Sequence, residues 1–115
     1  MALVASATIC EHVQELANGN INCNNVINTF HGLGETYFEL AVTYKTNNES
    51  FVEGYKVQDY TGKILGEFEN KLTPTDEFHI SITELELDLE NPGIHFIEIL
   101  VNGECKSRIP FQVLS

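Results

Sequence analysis

Apolar and polar residues alternate along most of this chain, and alternation is the mark of a half-buried strand. In "TYFELAVTYK", Phe38, Leu40, Val42 and Tyr44 share one face, with Glu39, Ala41, Thr43 and Lys45 on the other. "FVEGYKVQDY" repeats the pattern through Tyr55 and Val57, and "KILGEFENKL" through Ile64, Gly66 and Phe68. Turn signals separate these runs: Asn18-Gly19-Asn20, "TNNES", Asp59-x-x-Gly62, "TPTD" and Asn102-Gly103. "LVASATICEHVQEL" reads as one bent first strand, with a short helix over Cys10–Ala17 as the rival reading. "INCNNVINTF" returns as its hairpin partner. The apolar N-terminus has no basic region and too short an apolar run for a secretory signal.

"EFHISITELELDL" changes phase. Phe78, Ile80 and Ile82 fall on one face and Leu85, Leu87 and Leu89 on the other. A period of two cannot change faces without an extra residue, so a bulge is predicted near Thr83-Glu84. The pattern as a whole predicts about eight strands in one antiparallel β-sandwich domain spanning 1–115. Its expected core is Val4, Ile9, Val26, Phe38, Leu40, Val42, Tyr55, Val57, Phe68, Ile80, Ile82, Ile97, Ile99, Val101, Phe111 and Val113.

"TICEHV", "NVINTF", "DYTGKILGEF" and "NPGIHFIEILVNGECKSRIPFQV" together resemble a bacterial and phage family of small immunoglobulin-like β-sandwich domains of unknown function. Cys10-Glu11 matches its early Cys-acid pair, Asp59-x-x-Gly62 its turn, and Pro92-Gly93-x-His95 with Asn102-Gly103 its closing hairpin. His95 stands where that family has a tyrosine, and "VINTF" lacks its usual glycine. The resemblance implies an immunoglobulin-like sandwich and supplies no catalytic residues. It also implies that Ile97, Ile99 and Val101 face the core, with His95 bonding a nearby backbone carbonyl as a corner tyrosine does.

Seventeen acids against six bases give a net charge of −11, which disfavours direct binding to nucleic acid or to an anionic membrane. No apolar run approaches the ~18 residues of a membrane span. The charge favours a basic partner. Three cysteines at wide spacing, Cys10, Cys23 and Cys105, imply no disulfide framework, and reduced thiols in a cytoplasmic protein are the expectation.

Candidate chemistry is sparse. Cys10 and His12 share a strand face, and His31, Cys23 or His95 would have to complete a zinc site, yet no Cys-x-x-Cys or His-x-x-x-His occurs. Cys105 has Lys106 and Arg108 nearby but no base or oxyanion donors in sight. His31-Gly32-Leu33-Gly34 lacks the third glycine and the helix of a phosphate loop. "ELELDLE" is the most distinctive feature. Glu84, Glu86, Asp88 and Glu90 form a row on one face, about 6.5–7 Å apart, which is too wide to share a proton. Without a calcium-loop pattern, the row reads as a solvated edge-protecting face or as a surface for a basic protein partner.

The closing hairpin adds a second candidate surface. Ile94, Phe96 and Leu100 are apolar on the side that a sandwich turns to solvent, so either the N-terminal strand or a second copy should cover them. The functional expectation is a non-enzymatic protein-interaction module without cofactors, one version being a phage-encoded inhibitor of a host protein. The alternatives are a structural subunit of a larger assembly and, further behind, a small metal- or cysteine-dependent enzyme.

Overall fold

A computed structural model of the chain describes residues 2–115. They form nine strands: β1 (Leu3–Glu15), β2 (Ile21–Val26), β3 (Thr29–His31), β4 (Gly34–Lys45), β5 (Phe51–Gln58), β6 (Ile64–Leu72), β7 (Phe78–Leu89), β8 (Gly93–Val101) and β9 (Glu104–Leu114). One sheet has the order β2-β1-β4-β7 and the other β3-β9-β8-β5-β6. After β2 the chain crosses to the second sheet, where β3 runs parallel to β9 with Thr29 opposite Gln112. That pair departs from the all-antiparallel expectation: the early chain enters beside the last strand in the same direction. Two facing sheets, with early strands divided between them, make an immunoglobulin-like β-sandwich.

Each sheet turns one face to a shared core. Phe38, Leu40, Val42 and Tyr44 of β4 and Leu85, Leu87 and Leu89 of β7 meet Tyr55, Val57, Ile97, Ile99, Phe111 and Val113 of the other sheet. The turns close as their residues dictate. Asn102 and Gly103 have φ of 51° and 83°, the left-handed pair of a two-residue hairpin. The Asn102 side chain also accepts a bond from the Val52 N–H at 2.9 Å, which ties that turn to β5. The Asp59 carboxylate accepts from the Thr61 hydroxyl and from the N–H groups of Thr61 and Lys63, and closes the next turn.

β7 contains no bulge. It pairs with β4 in unbroken register from Gly34 opposite Leu89 to Lys45 opposite Phe78. The inward side chains continue from Leu85 to Thr83 and Ser81, and the apparent phase change is a change of chemistry on an unchanged face. The cause is Glu53, fully buried between the sheets. It accepts from the Tyr44 hydroxyl at 2.6 Å, the Ser81 hydroxyl at 2.8 Å and the Asn70 amide at 3.1 Å. A buried carboxylate without a cation needs such donors, and β7 supplies one by giving up an apolar residue. Ile80 and Ile82 therefore point outward, half-buried, and Val26 is 66% exposed, so none of the three belongs to the sandwich core.

β1 is a strand throughout, and it bends. Ile9 points into the core. Pairing with β4 ends at Cys10 opposite Glu39, while pairing with β2 continues to Glu15 opposite Ile21. The resulting β1–β2 hairpin folds over the outer side of its own sheet. Cys10 and Val13, with Ile21 and Cys23, pack there on Ala41 and Ile82 in a second small apolar cluster. Cys10 and Cys23 are joined in a disulfide, Cα to Cα 5.7 Å. This corrects the expectation of three reduced thiols. The hairpin turn at Asn18-Gly19 brings two cysteines distant in sequence side by side.

Candidate interaction surface

Beyond the hairpin, the outer side of β4 and β7 is a field of carboxylates. Glu35 lies opposite Asp88, Tyr37 opposite Glu86 and Glu39 opposite Glu84. Directly opposed side chains have Cβ atoms about 4.5–5.5 Å apart, and like charges at that distance repel. The same strand pair carries one lysine, Lys45, at its far end, engaged with Glu77 at 2.9 Å. The row read from sequence thus becomes a two-strand patch. Glu84, Glu86 and Asp88 belong to it and are exposed. Glu90 does not: it follows the end of β7 and pairs with Lys63 at 2.8 Å. Glu35, Tyr37 and Glu39 were missed, because only the register of β4 on β7 places them there.

Glu39 differs from its neighbours. It is buried, accepts from the Val13 N–H at 3.2 Å and bonds His12 Nδ1 at 2.6 Å. It therefore holds the bend of β1 and leaves the outer carboxylates to solvent. Tyr37 is half-exposed among them. Partial desolvation, followed by the hydrogen-bonding Glu84 carboxylate and the charges of Glu39 and Glu86, pushes its phenol above the usual range. A shallow depression of about 430 Å³ is lined by Glu35, Thr36, Tyr37, Glu86, Leu87 and Asp88. Among the described residues, no three His, Cys, Asp or Glu side chains converge to hold a metal ion.

The apolar trio of the closing hairpin lies on the outer side of the other sheet. β1 is in the opposite sheet and leaves it uncovered. Ile94 is exposed, while Phe96 and Leu100 are half-buried. The Arg108 guanidinium sits 3.6 Å from the Phe96 ring centre, and Leu100 packs beside Gly54. Glu98 lies between them in sequence on the same side and accepts from Gln58 Nε2 at 2.6 Å. The trio is therefore broken by charge and partly roofed by the chain itself.

The remaining candidates resolve locally. Cys10 is oxidised and cannot pair with His12 as a nucleophile. Cys105 is exposed, but partial burial and then the Glu98 carboxylate push its thiol up, outweighing Arg108. His31-Gly32-Leu33-Gly34 links β3 to β4, a strand and not a helix. His95 is buried and its Nδ1–H donates to the Gly93 carbonyl at 3.1 Å, the corner role expected of it.

No protein-family model and no curated protein sequence matches the chain. Solved structures do match. The alkylpurine DNA glycosylase AlkC of Pseudomonas fluorescens, bound to DNA containing an abasic-site analogue, superposes with a TM-score of 0.60 at 17% identity, over 99% of this chain and 30% of that one. The likeness is one of fold alone. A glycosyl hydrolase family 2 member of Bacteroides cellulosilyticus matches with a TM-score of 0.54 at 9% identity, over 70% of this chain and 12% of that one. An immunoglobulin-like protein of Pseudomonas aeruginosa matches with a TM-score of 0.48 at 13% identity, over 98% and 96% of the two chains. This chain spans less than a third of the length of the first two.

Proposed function

We propose that this domain is a non-enzymatic interaction module that binds a basic segment of a protein partner on the outer face of β4 and β7. The observation that carries this reading is the exposed cluster of Glu35 opposite Asp88 and Tyr37 opposite Glu86, with Glu84 beside them, on a stretch of β4 and β7 that carries no lysine or arginine of its own. Like charges opposed across strands cost stability. A surface that keeps such a cost, with a half-exposed tyrosine at its centre, suits a ligand that supplies the missing positive charge. The use of this fold as a minor part of larger enzymes is consistent with an accessory role. The DNA of the glycosylase complex does not transfer as a ligand, because these carboxylates repel phosphates. A bacterial or phage setting belongs to this proposal through the sequence resemblance, and action as an inhibitor of a host protein through the chain's small size, acidity and lack of catalytic motifs. A cytoplasmic location loses the support of reduced thiols, since disulfides persist in oxidising compartments.

The test is calorimetric titration with a peptide bearing lysine at alternate positions, against the native chain and against Glu84→Gln/Glu86→Gln/Asp88→Asn. Neutralisation should weaken binding at least about tenfold, and raising salt should do the same to the native chain. Equal affinity of the two proteins would remove the acidic face as the site.

A further inference from the structure

The β1–β2 hairpin is attached unlike any other element. Beyond Cys10 it has no strand partner outside itself, and β2 is an edge strand with Asn22, Asn24 and Asn25 exposed. Three things hold it over the sheet: the small cluster above Ala41 and Ile82, the grip of Glu39 on His12 and Val13, and the disulfide between Cys10 and Cys23. Its tip is not sealed against β7. A gap of about 300 Å³ remains there, bordered by Leu16, Ile21, Phe78 and Ile80. Phe78 is 56% exposed at its rim. A two-stranded ribbon without further support is marginal in water.

We propose that the Cys10–Cys23 disulfide is a redox latch, and that its reduction lets the hairpin lift and uncovers an apolar surface of Ala41, Ile80 and Ile82, continuous with Phe78 and adjoining the acidic patch. Cys23 is half-buried while Cys10 is fully buried, so a dithiol reductant enters at Cys23. Its thiolate attacks the Cys23 sulfur, the disulfide breaks, and Cys10 leaves as a thiolate that takes a proton from water. The second thiol of the reductant then attacks the mixed disulfide and releases Cys23, which takes the second proton, and the reductant ends as a disulfide. Two electrons pass from reductant to protein.

The bond closes a loop of 13 residues in sequence separation, and once lifted the unsupported hairpin also loses its own ladder, so that loss of the cross-link should raise this open population by about a hundredfold. The outcome of opening is a larger surface beside the acidic patch, available only where thiols are kept reduced. The latch stands on the hairpin's packing and does not depend on that patch being a binding site.

Hydrogen exchange of the full chain, oxidised and in dithiothreitol, tests this. Cys105→Ser in both arms prevents reshuffling with the exposed third thiol. Amides of residues 12–26 should exchange about a hundredfold faster after reduction, those of β4, β5 and β8 should change less than about twofold, and an apolar dye should gain fluorescence. Unchanged hairpin exchange would overturn the latch, and so would equal acceleration in every strand. Because the folded protein itself is reduced, the result does not rest on whether a Cys10→Ser/Cys23→Ser variant folds; where it does, its hairpin should behave as open without reductant.

Discussion

Glu53, Tyr44 and Tyr55 set the chemistry of the interior at the scale of single residues. Burial first, the neighbouring Tyr55 next and then Glu53 push the Tyr44 phenol far above its ordinary value of 10.0. Burial and then Glu53 do the same to Tyr55. The folded state thus keeps two protons that the unfolded chain releases above pH about 10. Stability is fully present below that pH and falls above it, by about 2.7 kcal/mol per pH unit for two phenols. Urea unfolding between pH 8 and 11 should show this limb, and Tyr55→Phe should halve its slope; a flat profile would contradict the assignment. Glu53→Ala should cost about 3 kcal/mol in the same assay at neutral pH, because it strands the Tyr44 and Ser81 hydroxyls in the core. None of this was legible in sequence. "FVEGYKVQ" hints that Glu53 is in phase with Phe51, Tyr55 and Val57, but only the facing strands reveal what would satisfy a carboxylate there.

Among the elements, β7 carries both the clearest success and the clearest failure of sequence reasoning. The exposed acids at Glu84, Glu86 and Asp88 followed from alternation alone. The bulge did not exist, because Ser81 and Thr83 were read as outward when their hydroxyls serve an inward polar cluster. Glu35 and Glu39 needed the register of another strand, which alternation does not provide. Likewise the Asn18-Gly19 turn was plain, yet the disulfide across its hairpin was not, since an odd cysteine count argues against pairing. The opposed carboxylates also predict a trade. Glu84→Gln/Glu86→Gln/Asp88→Asn should raise stability by about 1 kcal/mol at low salt, with the gain shrinking in 0.5 M sodium chloride, while it weakens capture of a basic peptide. Thermal melts at the two salt concentrations check the sign.

Charge is sorted across the whole molecule. On the five-stranded sheet signs are mixed: Lys56 lies opposite Glu67 and Glu98, and Arg108 opposite Glu98 while covering Phe96. On the outer side of β4 and β7, the stretch around Glu35, Tyr37, Glu84, Glu86 and Asp88 carries acids alone, and Lys45 stands at the far end. The trio Ile94, Phe96 and Leu100 therefore offers a divided apolar area to a second copy, and a net charge of −11 opposes self-association. Light scattering at low salt should find a monomer, and a stable dimer lost on Phe96→Glu would restore the hairpin as an interface. The sandwich and most of its central core were legible because alternation and turn residues determine them locally, while the second cluster under the β1–β2 hairpin was not. The acidic patch was half legible because a two-strand surface depends on which strands meet. Its most direct test is residue-resolved NMR of the oxidised chain titrated with a peptide bearing lysine at alternate positions. Shifts confined to Glu35, Tyr37, Glu84, Glu86 and Asp88, and abolished by 0.5 M salt, are the predicted result. Shifts centred on Ile94, Phe96 and Leu100, or none at all, would contradict it.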